Sequence, residues 1–180
     1  MRNHIAVLIV ATGNGKGKTT AAIGQAVRAM GHGRRVFFAQ FIKSDGFPSG
    51  EDRLLRTAFG DQLTFLKGGR GFVGICGDTL PFAEHRAAAL ATLDAVREAV
   101  ASGSYGLLVL DEANVAMALK LIAREEMDDF LAAVPVECDV VITGRGADES
   151  IISRADFVTE CVEVKHPFHS KVPAKKGIEY

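Results

Sequence analysis

Short apolar runs alternate along the chain with stretches of helical spacing, which predicts βαβ units around a mostly parallel sheet. Residues 5–11 are apolar without interruption, as expected of a central strand covered on both faces. Over 18–30, Ala22, Ala26 and Met30 stand four apart with Ile23 and Val27 alongside, giving a helix one buried face. Gly31 and Gly33 can supply the positive φ that stops it. Further strands are predicted at 35–42, 62–66, 107–111, 139–143 and 157–164, and helices at 82–101, 114–121, 125–133 and 149–154. Two stretches lose the pattern. Residues 43–61 are interrupted by Gly46, Pro48 and Gly50, and 67–81 hold glycines at 68, 69, 71, 74 and 77. Irregular segments of this length in a compact domain serve as functional loops or lids. The tail from Lys165, with Pro167, Pro173 and four lysines, reads as a loop or an arm.

Length and charge narrow the class. A chain of 180 residues fits a single domain over 1–180 with a core of its own. Net charge is −1, from 21 basic and 22 acidic residues, which argues against broad binding to nucleic acid or to an anionic membrane. No apolar stretch approaches the roughly 18 residues of a membrane-spanning helix. Cys76, Cys138 and Cys161 form no CxxC pair, so structural zinc is not expected. An odd cysteine number without an export signal points to a reducing cytoplasm.

The strongest chemical signal is Thr12-Gly13-Asn14-Gly15-Lys16-Gly17-Lys18-Thr19-Thr20, which follows one predicted strand and opens a helix. In a P-loop, successive backbone N–H groups surround phosphate oxygens, and glycines keep side chains out of the way. The helix presents its positive end to the same anion. Lys18 would place an ammonium on the phosphates, and the Thr19 hydroxyl would ligate Mg²⁺. The spacing departs from G-x-x-x-x-G-K-[ST], because Thr12 stands where the first glycine belongs and Gly13 follows it.

Leu107 to Asp111 is the expected second half, an apolar strand delivering Asp111 and Glu112 to the sheet edge where ligands of open α/β proteins bind. One acid can hold Mg²⁺ directly or through water, and the other can ligate metal or act as a base. Two further strand ends carry chemistry: Gln40-Phe41-Ile42-Lys43 and Thr143-Gly144-Arg145-Gly146. Arg145 suits either a bidentate phosphate contact or a surface turn. His166 and His169 lack a third ligand nearby and read as solvated tail histidines, and Cys76 as an ordinary thiol. These residues describe Mg²⁺-dependent ATP binding without specifying the reaction.

The shifted glycine string resembles that of the P-loop ATP:corrinoid adenosyltransferases. Gln40-Phe41-Ile42-Lys43, Gly50-Glu51, Gly71-Phe72, Leu110-Asp111-Glu112, Ile142-Thr143-Gly144-Arg145-Gly146, Val164-Lys165-His166 and Lys176-Gly177-Ile178-Glu179-Tyr180 follow in matching order. The resemblance implies a P-loop NTPase fold, RecA-like, an α/β/α sandwich of three layers around a mostly parallel sheet, with the 165–180 tail packed near the site. It implies transfer of the 5′-deoxyadenosyl group of ATP to cobalt(I) of a reduced corrinoid, with release of triphosphate from a nucleotide that lies reversed in the loop. Residues 12–20 would bind the nucleotide, and Lys18, Arg145 and Glu112 would carry catalysis. Thr19 and Glu112 would hold Mg²⁺ with Asp111 close by, and Phe72 would face the corrinoid and help displace its lower axial ligand. A homodimer and a reductant protein such as a flavodoxin are the implied partners. Where relatives carry a tryptophan two residues after the phenylalanine, this chain has Gly74, and it contains no Trp. Two other activities use the same loop: an ordinary ATPase or kinase with Glu112 as base, and an ATP-dependent corrinoid carrier without catalysis.

Overall fold

In a computed structural model, residues 6–46, 48–75, 77–170 and 172–179 are described, apart from the side chain of Phe168. The chain runs β1 (Leu8–Thr12), α1 (Lys18–Gly31), β2 (Val36–Gln40), α2 (Gly50–Thr57), β3 (Leu63–Lys67), α3 (Phe82–Ala101), β4 (Leu107–Asp111), α4 (Ala113–Ala118), α5 (Arg124–Ala133), β5 (Asp139–Thr143), α6 (Glu149–Arg154) and β6 (Phe157–Glu160). The strands form one sheet in the order β3-β2-β4-β5-β1-β6, and every pairing is parallel.

Strand side chains alternate between two cores, and this sorting makes the three layers. Val36, Phe38, Leu107, Val109 and Val141 pack with Ala22, Ala26 and Met30 of α1 and Leu55 of α2. Their neighbours Phe37, Ala39, Leu108, Leu110, Val140 and Ile142 pack on the other face with Ala89, Leu93 and Val96 of α3, Met127 and Phe130 of α5, and Ile151 of α6. A strand covered on both faces must be apolar at successive positions, which is why 107–110 carry no polar residue. Polarity returns at the last residue of each strand: Thr12, Gln40, Lys67, Asp111, Thr143 and Glu160. Parallel register sets Gln40 beside Asp111, so one sheet edge becomes a row of polar groups. At that edge the chain leaves β1 for β2 on one side, whereas α6 brings it to β6 on the other. Such a divergence opens the crevice used by ligands of α/β proteins.

Two elements differ from the pattern along the sequence. Helix α2 forms inside 43–61, where no helix is expected. Only Leu55 among its apolar residues is buried, too few for a periodic signal. Its start is fixed by polar chemistry: the Ser49 N–H and hydroxyl donate to the Asp52 carboxylate at 3.0 and 2.8 Å. Strand β6 ends at Glu160 instead of residue 164 because its neighbour β1 ends at Thr12, and no ladder partner remains beyond that point.

Asp52 also receives the Lys67 ammonium at 2.6 Å, and the Lys67 side chain is fully buried. Burial alone would raise the Asp52 pKa, but the Lys67 and Ser49 donors outweigh it and hold the carboxyl below its ordinary value. The folded pKa is the lower one, so the pair stabilises the fold above the unfolded carboxyl's pKa, and that stability is lost as pH falls through the folded value. We expect Asp52→Asn to cost about 3 kcal/mol at neutral pH. Denaturant titration across pH checks this, with the gap to wild type closing only in the acid range below the unfolded Asp pKa.

Candidate functional site

The loop between β1 and α1 is shaped as much by its neighbour in the fold as by a ligand. A Cβ on Gly13 would lie 2.5 Å from the Cys161 carbonyl oxygen, and one on Gly15 would lie 2.7 Å from the same atom. The Gly15 N–H is itself spent on that carbonyl at 2.6 Å, and the Cys161 N–H donates to the Thr12 carbonyl. These two glycines therefore admit the segment that follows β6, in addition to any phosphate. Gly17 is different. It sits at φ 113° with nothing within 4 Å of the place a Cβ would take, and it caps the N-terminus of α1 at the cavity wall. Thr12 and Gly13 do not line the cavity; the Thr12 hydroxyl accepts the Ala147 N–H at 3.2 Å and ties the loop to the turn carrying Arg145.

The cavity encloses about 1160 Å³ against the C-terminal edge of the sheet. Asn14, Gly15, Lys16, Gly17, Lys18, Thr19 and Thr20 form one wall, and Glu112, Arg145 and Phe72 are also at its surface. Lys18 is 7% exposed, and its ammonium donates to the Gly13 and Gly15 carbonyls at 2.7 and 2.6 Å. It thereby closes the loop into a ring at the positive end of α1, a site built for an anion.

Asp111 lies behind this ring with no exposed surface. One carboxylate oxygen accepts the Thr19 hydroxyl at 2.9 Å and the Thr143 hydroxyl at 2.7 Å. The other accepts the Gln40 amide at 3.0 Å and lies 3.2 Å from the Lys43 ammonium. With its lone pairs committed to these donors, Asp111 acts as an organiser, and Glu112 is the acid presented to the cavity. Glu112 sits in the left-handed region at φ 61°, a conformation that costs a side-chain-bearing residue about 1–3 kcal/mol. Its N–H is held by the Thr143 hydroxyl at 3.0 Å. Burial and then the Asp111 charge raise its pKa, against the pull of Lys43, Lys18 and Arg145.

These residues fit a magnesium ion. The Thr19 hydroxyl gives its hydrogen to Asp111 and meets the Lys43 ammonium at 3.5 Å on one lone pair, which leaves the other for a metal, and Glu112 adds a second hard oxygen donor. Among the described residues no cluster of three or more His, Cys, Asp or Glu could hold a metal, so a bound Mg²⁺ would draw its other ligands from phosphate and water oxygens.

Several residues to which the sequence assigned no definite role line the site. Lys43 lines the cavity between Asp111 and Glu51, 3.7 Å from the latter. His166 also lines it, with Gly177, Ile178 and Glu179 of the tail, so the first of the two tail histidines is not simply solvated. His169 pairs with Glu163 at 2.6 Å, which lowers the Glu163 pKa. Lys43 closes a strand end whose chemistry the sequence already marked, and the tail residues line the cavity from the end of the chain. Cys76 and Tyr180 lie outside the described residues.

A glycine loop closed by Lys18 at the start of α1, an acid-bearing strand beyond it and a parallel sheet define a P-loop nucleotide-binding protein of the NTPase fold. Among solved structures, the flagellar accessory protein FlaH from Methanocaldococcus jannaschii shares this fold with a TM-score of 0.56 at 11% identity, over 86% of this chain and 70% of that one. The family model described as ATP:corrinoid adenosyltransferase BtuR/CobO/CobP matches residues 4–180, and the chain belongs to that family. It is 36% identical to the corrinoid adenosyltransferase of Pseudomonas aeruginosa, over 99% of this chain and 86% of the relative. It is 38% identical to that of Escherichia coli, over 97% of this chain and 85% of the relative.

Glu112 gives a direct test of strain at the site. Its folded pKa is raised, so the ionised carboxylate subtracts stability, increasingly as pH rises through that value. Glu112→Gly and Glu112→Ala both remove the acid, but only glycine tolerates φ 61° freely. The glycine variant should be the more stable of the two by about 1 kcal/mol in denaturant titration. Both should lose Mg²⁺-dependent tightening of ATP binding. Equal stabilities would show that the backbone there is unstrained.

Proposed function

We propose that this chain transfers the 5′-deoxyadenosyl group of ATP to the cobalt(I) of a reduced corrinoid and releases triphosphate. Cobalt(I) supplies both electrons of the new cobalt–carbon bond and becomes formally cobalt(III). The C5′–oxygen bond breaks, and its electron pair leaves with the triphosphate. The nucleophile is the metal of the substrate, so the protein need not remove a proton. Its work is to align the 5′ carbon and to stabilise the departing polyphosphate.

The observation that carries this reading is one cavity in which a closed phosphate ring, Glu112 and Arg145 meet the exposed aromatic face of Phe72. On this reading the amides around Lys16 and Gly17, with the Lys18 ammonium, take the triphosphate, and Arg145 answers its charge. Thr19 and Glu112 would hold Mg²⁺, which when bound neutralises polyphosphate charge. Phe72 would lie against the corrinoid. A water-activating role for Glu112, as in an ordinary ATPase, has less support, because the curated relatives are named for corrinoid adenosylation. The family likeness also supports a cytoplasmic homodimer supplied with electrons by a reduced protein such as a flavodoxin.

Incubation with ATP, Mg²⁺ and chemically reduced cobalamin should yield a light-sensitive adenosylated corrinoid and intact triphosphate in equal amounts. Release of ADP and phosphate without a cobalt–carbon bond overturns the reading. Lys18→Ala should lower turnover by about a hundredfold or more, since it removes both the loop closure and a charge-assisted phosphate contact.

A further inference from the structure

The stretch between Gly71 and Pro81 has no helix or strand among its described residues, yet it is tied at both ends. At its start, the N–H groups of Gly68, Gly69 and Gly71 donate to the carbonyls of Gln40, Lys43 and Ile42 at 3.0, 3.1 and 2.9 Å. The segment is thus zipped onto the turn that supplies Gln40 and Lys43 to Asp111. At its far end the tie is a single carboxylate. Asp78 accepts the Gly74 N–H at 2.8 Å and the Leu80 N–H at 3.0 Å, and it meets His85 Nε2 at 3.0 Å. His85 belongs to the first turn of α3 and is 3% exposed. One buried imidazole therefore anchors the acid that draws the Gly74 and Leu80 amides together.

That tip carries several exposed apolar side chains. Phe72 is 45% exposed, Ile75 60%, Leu80 39% and Phe82 51%. These four exposed apolar side chains lie within eleven residues beside the cavity, which suits a contact surface for an apolar ligand. Phe72 is at the cavity wall, which joins the patch to the nucleotide site. The family acts on two substrates of opposite character. The triphosphate needs the polar ring already described. A corrinoid is a broad, flat macrocycle whose face and methyl-bearing rim are matched by apolar side chains held at fixed positions. An untied loop of this length would lose ordering entropy when it closed on such a face, and that loss would weaken binding.

We propose that Asp78 and His85 are positioning residues that hold residues 72–75 and 77–80 as a preformed apolar wall for the corrinoid, with Ile75 and Leu80 extending the surface begun by Phe72. The assignment rests on the adenosyltransferase reading. It gives this chain, which has Gly74 two residues after Phe72 and no tryptophan, an apolar wall built from a tied loop.

The test uses the full chain with chemically reduced cobalamin and Mg²⁺–ATP varied in turn. His85→Leu and Asp78→Ala should raise KM for the corrinoid by about tenfold or more and leave KM for ATP within about twofold. His85→Gln keeps an N–H donor near the Nε2 position and should restore most of the loss. Ile75→Ser, at an exposed position that leaves both ties intact, should reproduce the corrinoid-only defect. Amide hydrogen exchange over 72–80 should accelerate in His85→Leu and Asp78→Ala but not in Ile75→Ser. The proposal fails if loop exchange accelerates while corrinoid KM is unchanged, or if both KM values rise together with a fall in Tm. It fails equally if Ile75→Ser binds corrinoid as wild type does. A wild-type chain that binds corrinoid but releases only phosphate overturns the transfer reaction alone; the positioning role is then decided by corrinoid affinity across the same variants.

Discussion

The Asp111 carboxylate is the constraint on which the rest of the site depends. It is fully removed from water, a position that a charged group tolerates only when its oxygens are met by donors. The donors come from the start of α1, the end of β2, the turn after β2 and the end of β5: Thr19, Gln40, Lys43 and Thr143. Satisfying one buried charge therefore fixes the relative positions of four segments. It orients the Thr19 hydroxyl, holds Lys43 between Asp111 and Glu51, and sets the Thr143 hydroxyl where it also receives the Glu112 N–H. The strained backbone at Glu112 follows from this arrangement, because the residue after a committed acid has to turn its own carboxylate into the cavity.

The glycine loop shows a division of labour that its motif does not reveal. Gly13 and Gly15 are small because the chain after β6 passes against them, whereas Gly17 turns the backbone into α1 beside the cavity. Lys18 contributes twice, by closing the ring through two carbonyls and by supplying charge at its centre. The contact with Cys161 also links the loop to the tail, whose His166, Gly177, Ile178 and Glu179 complete the far side of the cavity.

The polar and apolar halves of the site are joined by the turn at Gln40–Lys43. On one side it feeds Asp111, and on the other its carbonyls receive the Gly68–Gly71 amides that begin the Phe72 loop. Gly68 and Gly69 admit no side chain there, since a Cβ would lie 1.9 Å from the Thr92 hydroxyl and 2.2 Å from the Ile42 backbone, respectively. On the proposed reading, two substrates of unlike chemistry are in this way served by one short piece of backbone.

The sequence by itself determined the strands, the loop–helix unit and the acid pair. Unbroken apolar runs such as 107–110 have one stable environment, the middle of a covered parallel sheet, and Gly17-Lys18-Thr19 has meaning at short range. Four features were decided by the tertiary structure. Helix α2 buries only Leu55 and is held by Asp52 with Ser49 and Lys67, partners in part from another element, so hydropathy alone misses it. Lys43, His166 and the tail reach the cavity from distant parts of the chain. The reason for Gly13 and Gly15 lies near the other end of the chain in the backbone of Cys161, as about 3.3 Å of rise per strand residue brings two parallel neighbours to the same edge. Asp78 and His85 are ordinary polar residues until folding buries the imidazole beside the carboxylate. Periodicity records which face of an element meets the core, and it carries no information about which distant polar groups meet once those faces have packed.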